Sequence, residues 1–465
     1  MAHFDLLVIG SGPAGEKGAA QAAYFGKKVA LIERAAVPGG AMVNTGTLPS
    51  KTLRETALYL SGFRQRGLHG VDLSLNRAAS LDDLMYRQKV VISEERARID
   101  DNLARHRVTR LRGDASFVDP HTLQVSGQQV TGDVILIATG SSPHRHPLFD
   151  FDDVKVYDSD EIVRVHMIPR TMAMVGGGVI GCEYACLFAA LGAKVTLIES
   201  RSGLLPFLDG ELQALLEDRM AALGIEILKP DTVQRVASQG EGVTLELQSG
   251  RSLHTDLVLV CAGRNANTAT LNLAAAGLTA GKRGQLTVDG RFRTQVPHIY
   301  AAGDVIGFPA LASTAMDQAR VAVVDAFDLK YKTSLPKVLP FGVFTIPEVS
   351  MAGETEESLR AQGIPFVSGR ASFADNARGR IIGEQHGRLK LLFGRGDLKL
   401  LGVHMIGEGA TELIHIGLTA LLMGATADLF IQACFNYPTL SEVYKYAAYD
   451  ALGAASSSTV TLACQ

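Results

Sequence analysis

The chain has 465 residues, too many for one compact core, so two to four domains are expected. Hydrophobic residues make up 47% and charged residues 20%, which excludes a disordered chain, and a net charge of −3 advertises no nucleic-acid or anionic-membrane surface. Five cysteines without a CxxC pair and 12 histidines without ligand spacing exclude a disulfide scaffold and predict no metal site.

A strand is predicted from Phe4 to Ile9, leaving no room for a signal peptide, and no apolar run approaches the roughly 20 residues of a bilayer span. A soluble, cytoplasmic protein is therefore expected. Gly10, Gly12 and Gly15 follow this strand, then an Ala-rich helix, then a strand over 29–32 ending on Glu33. A polar helix is predicted over 82–106, and the runs VILIATGSSP (134–143) and LVLVCAGRNANT (257–268) read as closing strands. Between those runs the glycine pattern recurs. A strand over 172–175 feeds Gly176, Gly178 and Gly181, a helix follows, and a strand over 195–198 ends on Glu199. Residues 294–304 form a buried strand ending in Asp304, and from about 338 alternating strands and a helix pair predict a mixed α/β domain. The closing AASSSTVTLACQ reads as a mobile tail.

Each glycine turn has a physical reading. The first glycine makes the tight turn, the second lets backbone approach a pyrophosphate, and the third lets helix and strand pack closely. The pyrophosphate sits on the helix N-terminus, where free N–H groups and the dipole favour an anion. The Glu closing the next strand accepts from ribose hydroxyls. The segments around ATGSSP and YAAGDVIG flank the second copy and return the chain to the first domain. Asp304, at a strand's carboxyl end, is placed to accept from flavin ribitol hydroxyls. The first site is therefore read as the FAD site and the inserted one as the nicotinamide site. The predicted fold class is α/β, with two Rossmann-like dinucleotide-binding domains and a C-terminal mixed α/β domain. Its divisions are 1–148 (FAD, first part), 149–268 (NAD(P)), 269–337 (FAD/central, second part) and 338–465.

The pieces VIGSGPAG, GTLPSKTL, ATGSSP, VGGGVIGCEYA, CAGRNANT, YAAGDVIG, FTIPEVS and FNYPTLSEVY resemble the pyridine nucleotide–disulfide oxidoreductase family over nearly the whole chain. The resemblance implies a homodimer joined through the C-terminal domain. It implies a cofactor-binding set of Gly10, Gly12, Gly15, Glu33, Arg34, Gly40, Thr45, Lys51, Ala115, Thr139, Gly140, Asp304, Gly176, Gly178, Gly181, Glu199, Ser200, Arg201 and Gly263. It also implies a Lys51–Glu183 ion pair beside the flavin, where a cation near N5 favours the anionic reduced ring.

Two departures from the family pattern bear on function. Its dithiol members carry two cysteines five apart before P-S-K, and this chain has Met42 and Thr47 there. A thioether and a hydroxyl cannot cycle between dithiol and disulfide. The same members place His before the Pro of H-P-T-x-x-E, where this chain has Tyr437 before Pro438, with Glu442 retained. A phenol with a pKa near ~10 is a poor substitute for an imidazole that changes charge near neutrality. Disulfide substrates handled through that pair are thus excluded. Tyr437 is open to two readings, a proton donor to the second acceptor or a filler of the lost imidazole's space.

Among members lacking the second cysteine, GSGPAGEKGA, GTLPSK, YDSDEI, GVIGCEYA, AGDVIGFPALAS and FNYPTLSE resemble the soluble pyridine nucleotide transhydrogenases. That implies hydride transfer between nicotinamide cofactors through FAD, in a ping-pong cycle at one nicotinamide site. Two alternatives stay open: an NADH-dependent reductase or oxidase with quinone, oxygen or another non-thiol acceptor, and a degenerate cofactor-sensing structural dimer. Glu199 should bond the NAD ribose and repel a 2′-phosphate, with only Arg201 to offset it, so NAD(H) is expected to be preferred over NADP(H). Cys182 and Cys186, four apart on one helix, are expected to pack against the sheet, and Cys434 is expected to be buried. Cys464 stands near the end of the tail.

Overall fold

The computed structural model describes residues 1–62, 80–240 and 242–463, so Cys464 lies outside the described residues. The chain divides into two compact units. The first comprises Met1–Leu53, Ser80–His166 and Cys261–Leu335; the second comprises Arg54–Ala79, Met167–Val260 and Pro336–Gln465.

The first unit is built on the apolar strand Ala2–Ile9, whose Leu6, Leu7 and Val8 are buried on both faces, as a central parallel strand requires. It pairs in parallel with Val29–Glu33 on one side and Gln128–Ile137 on the other. Thr109–Arg112 extends the sheet beyond Val29–Glu33. The antiparallel strands Thr122–Val125 and Ala115–Asp119 continue it from the first half of Gln128–Ile137. The returning strand Ile299–Ala301 joins the second half of that strand in parallel. Strand order therefore reverses at Ala2–Ile9, and a crevice opens at the carboxyl end of such a strand. Helix Pro13–Tyr24 buries Ala14, Ala19 and Ala22 in the core beneath it. The predicted polar helix is Leu81–Arg105, started by a capping box between Ser80 and Asp83.

The second unit repeats the theme. Among the described residues, the parallel order is Glu226–Leu228, Lys194–Ile198, Thr171–Val175, Leu257–Val260. Helix Val179–Ala190 buries Cys182, Glu183, Cys186 and Phe188. The C-terminal part is an antiparallel sheet ordered Pro340–Val343, Val349–Gly353, Leu400–Ile406, Arg388–Gly394, Phe366–Ser372. Helices Ala410–Leu422 and Val443–Ala463 close its core around Leu389, Val403, Met405, Tyr444 and Ala447.

The first unit runs to His166 and resumes at Cys261. The segment after 148 stays there because Gln88 Nε2 donates to Val163 O (3.3 Å) and Arg264 bonds Ser159 and Asp160. The C-terminal helix runs from Val443 to Ala463, its earlier turns anchored by buried Val443, Tyr444 and Ala451. Cys434 is exposed, not buried. The helix before it ends at Gln432 and the backbone becomes extended at Ala433, so Phe435 turns toward the core and Cys434 away. Cys182 and Cys186 are buried as expected.

Candidate functional site

The two glycine turns share one backbone conformation. Gly10 and Gly176 have φ of 102° and 112°, left-handed values that a side chain resists, and each donates its N–H at 2.8 Å to the last residue before the acidic position, Ile32 and Ile198. The N-cap residues Gly12 (φ −65°, ψ −176°) and Gly178 (φ −78°, ψ −176°) match as well, and no side chain caps either helix. Both helix N-termini keep backbone N–H groups for an anion.

Around the first turn, a Cβ on Gly15 would fall 1.8 Å from Gly10 O, whereas at Gly12 the nearest atom is Gly40 Cα at 3.9 Å. Gly12 thus has a free approach and Gly40 forms its wall. Thr45, closing the short helix Gly40–Asn44, donates its N–H to Ala41 O. Glu33 accepts from Ser11 N (2.9 Å) and Ser11 Oγ (2.7 Å) through Oε2 and from Ala35 N (2.8 Å) through Oε1. Arg34 is exposed beside it, and Ala115 is buried at the start of its strand.

Asp304 follows Gly303 at the end of the returning strand and accepts from Ser141 Oγ at 2.7 Å. Ser141 is held by Arg264, whose Nε donates to Ser141 Oγ (2.8 Å) and whose Nη2 donates to Ser141 O (2.8 Å). Arg264 Nη1 reaches Asp160 Oδ1 at 2.9 Å and Ser159 Oγ at 3.2 Å. The guanidinium of CAGRNANT therefore bonds ATGSSP and YDSDEI directly, and reaches YAAGDVIG through Ser141. The sequence reading used them as markers and missed Ser141, Asp160 and Arg264 as the side chains that orient Asp304. A lone Arg amid small polar residues was the available signal. Gly263, just before Arg264, accepts from His144 N at 2.9 Å. Thr139 Oγ1 is buried without a partner, beside Gly140, whose missing Cβ faces open space. An orphan hydroxyl, an open glycine and an uncapped helix fit a dinucleotide with hydroxyls and phosphates.

At the second turn, Glu199 is buried and accepts from Gly177 N (2.7 Å), Arg201 N (2.8 Å) and Ser200 Oγ (3.1 Å). Arg201 adds Nε to Oε1 and Nη2 to Oε2, both at 2.9 Å. Burial alone would raise the carboxyl, but the Arg201 bonds outweigh it and hold the group at about 2. Gly181 lies buried in the first turns of Val179–Ala190.

Lys51 stands on helix Thr47–Leu60 of the first stretch, and Glu183, in the second unit, accepts from Phe344 N at 2.9 Å. Met42 packs against the first core and Thr47 opens the Lys51 helix, so neither position carries sulfur chemistry. Tyr437 is 76% exposed in the single chain, before a cis bond to Pro438, and Glu442 ends the short turn Leu440–Glu442. Burial pushes the Cys186 thiol up to about 12, leaving it inert.

Residues 4–319 match the family described as pyridine nucleotide-disulphide oxidoreductase, and residues 339–448 match its dimerisation domain. The chain is 44% identical to the soluble pyridine nucleotide transhydrogenase of Mycobacterium tuberculosis (strain ATCC 25177 / H37Ra), over 97% of this chain and 98% of that protein. It is 40% identical to the protein of that name from Colwellia psychrerythraea (strain 34H / ATCC BAA-681), over the same shares. Among solved structures, the HOCl-induced flavoprotein disulfide reductase RclA from Escherichia coli matches with a TM-score of 0.87 at 28% identity, over 96% of this chain and 99% of that one. With both segments matched and relatives aligned end to end, the chain belongs to the pyridine nucleotide-disulphide oxidoreductase family.

Proposed function

We propose that the chain is an FAD-dependent oxidoreductase that moves hydride between nicotinamide cofactors, as the names of its 40–44% identical relatives describe for them. The observation that carries this reading is the coexistence of two matching glycine turns with Met42 and Thr47 where a thiol relay would stand. FAD, when bound, supplies the ring that takes up and returns the hydride.

The chain's own groups divide the remaining work. Gly10, Gly12, Gly15 and the Pro13–Tyr24 N-terminus cradle one pyrophosphate, and Glu33 orients its ribose. Arg34, Gly40, Thr45, Ala115, Thr139 and Gly140 line the same ligand, and Asp304 takes ribitol hydroxyls. Gly176, Gly178 and Gly181 repeat the cradle for the nicotinamide nucleotide, with Glu199, Ser200, Arg201 and Gly263 around its adenosine end. Lys51 supplies the cation that favours electron-rich flavin, and Glu183 the carboxylate that accompanies it in the family pattern. Tyr437 and Glu442 act at the interface of a homodimer, for which the matched dimerisation domain is the support. Residues 1–148 and 269–337 serve FAD, 149–268 the nicotinamide nucleotide and 338–465 the interface. We place the protein in the cytoplasm, where unpaired thiols persist.

The test is anaerobic. NADH should bleach the yellow protein, and NADP⁺ or thio-NAD⁺ should restore the colour. Recovery with a quinone or air alone would favour a reductase with a non-thiol acceptor. The grip of Glu199 on Arg201 favours that second reading, because it ties up the cation a 2′-phosphate needs. A colourless protein without affinity for FAD would overturn both.

A further inference from the structure

Two consecutive residues of the segment after strand Pro340–Val343 are each gripped by a charged side chain. The Phe344 amide donates to Glu183 Oε1 at 2.9 Å. The Thr345 carbonyl accepts from both Nε and Nη2 of Arg54, at 3.0 and 2.9 Å. Arg54 is only 6% exposed, and Thr345 is fully buried. The third nitrogen, Nη1, meets Glu55 Oε1 at 2.8 Å and Glu348 Oε1 at 3.3 Å. Glu348 is braced in turn, accepting from Thr411 N (3.1 Å) and Thr411 Oγ1 (2.7 Å) with Oε2.

Two N–H groups of one planar guanidinium on one carbonyl fix direction as well as distance, which a lysine ammonium cannot do. Arg54 lies three residues after Lys51 on helix Thr47–Leu60, so the two side chains share a helix face. Glu183 is rooted in helix Val179–Ala190. Arg54 and the carboxylate of Glu183 thus grip neighbouring peptide groups of one buried segment.

We propose that Arg54 is a positioning residue for the hydride-transfer site. By holding the Thr345 carbonyl, it fixes the buried segment whose adjoining Phe344 amide donates to Glu183, and so sets the direction of the Glu183 carboxylate. The inference rests on the reading of Lys51 and Glu183 as flavin-side groups, and it adds the side chain that orients Glu183. Arg54 itself touches neither nucleotide in this account. Its effect should fall on the rate of the chemical step rather than on nucleotide affinity.

The experiment uses full-length holoenzyme carrying Arg54→Met, Arg54→Lys, Glu348→Gln or Lys51→Met. Anaerobic stopped-flow with NADH gives the maximal bleaching rate and the half-saturating NADH concentration. Two further readouts are the visible absorption band of the bound FAD and hydrogen exchange over 342–349. Arg54→Met should bleach about 10- to 100-fold more slowly, the loss expected when a reacting geometry slips by about an ångström. Half-saturation should stay within about twofold, and the absorption band should move in the same direction as in Lys51→Met. Exchange over 342–349 should quicken, and Arg54→Lys should recover part of both rate and spectrum. If Arg54→Met does not hold FAD, Arg54→Lys and Glu348→Gln decide by the same measurements, each expected to lie between wild type and Lys51→Met. Wild-type rate and spectrum in the Arg54 and Glu348 variants, with a slow Lys51→Met, would overturn the clamp alone. A Lys51→Met at the wild-type rate would overturn the Lys51 reading and the clamp with it.

Discussion

Arg201 grips Glu199 in a planar two-point contact, Nε to Oε1 and Nη2 to Oε2, each at 2.9 Å. The one cation just past the second acidic strand is thereby held by the residue proposed to bond an unphosphorylated ribose. A 2′-phosphate would have to draw Arg201 away and face the carboxylate left behind. Glu199→Ala should release Arg201 and raise the NADPH-to-NADH ratio of kcat/KM by about 10- to 100-fold, the worth of one charge-assisted hydrogen bond. Arg201→Ala should lower NADPH use and largely spare NADH. An unchanged ratio in Glu199→Ala would remove Glu199 from nucleotide selection.

The same carboxyl makes an acid-stability prediction. Glu199 is held at about 2 in the folded chain against an ordinary 4.5, so the folded state binds its proton less readily than the unfolded one. Its stabilisation is complete above pH 4.5 and is lost as pH falls toward 2. Urea unfolding of wild type and Glu199→Gln should differ by a constant margin from pH 5 to 8 and converge below that window. A margin that widens on acidification would contradict the assignment.

Gly12 and Gly15 should separate binding from folding. A Cβ at Gly15 meets Gly10 O at 1.8 Å, so Gly15→Ala should cost about 1–3 kcal/mol or more by overpacking and yield little folded protein. Gly12→Ala has room, with its nearest neighbour at 3.9 Å, and should fold normally. Its methyl enters the pyrophosphate cradle, so FAD affinity should fall about 10- to 100-fold in a fluorescence titration, as for one lost charge-assisted bond. Wild-type FAD affinity in Gly12→Ala would place the pyrophosphate elsewhere.

Lys390 and Asp209 form a buried ion pair at 2.7 Å in the second unit. Asp209 also caps helix Gly210–Ala222 through Glu211 N (3.1 Å) and accepts from Glu356 N (3.1 Å). Lys390 reaches Glu356 (2.8 Å) and Glu211 (3.1 Å) as well. Burial opposes the ammonium, but the three acids keep its pKa above the ordinary value. Lys390→Met would strand buried Asp209, while Glu211 and Glu356 keep arginine partners, so a loss of about 3–5 kcal/mol is expected in chemical denaturation. Adding Asp209→Asn should restore part of it, and a Lys390→Met of wild-type stability would deny the pair that role.

Hydride transfer without a sulfur relay should ignore thiol reagents. N-ethylmaleimide added to NADH-treated enzyme should leave transfer within about twofold, because Cys182 and Cys186 are buried, Cys261 is partly buried, and Cys434 is the one exposed thiol among the described cysteines. Abolition of transfer by the reagent would require a thiol in the cycle.

Much of this protein was readable from local pattern. Glycine spacing, strand-length apolar runs and a closing Glu are short-range features, so both strand–glycine turn–helix units and the Leu81–Arg105 helix followed from the chain order alone. What failed was a judgement resting on surroundings. Cys434 was assigned to the core from its apolar neighbours, yet an extended backbone alternates its side chains and turned it outward.

By itself the sequence determined the two dinucleotide turns and the loss of the redox thiols, since turn geometry and side-chain chemistry are carried by residues a few positions apart. Only the tertiary structure decided that Arg201 is already paired with Glu199, that Arg264 holds the Ser141 that donates to Asp304, and that Arg54 shares a buried segment with Glu183. Those partners are separated by anything from two to 291 residues, and a charged side chain's partner is chosen by which acceptor burial leaves within 3 Å rather than by spacing along the chain.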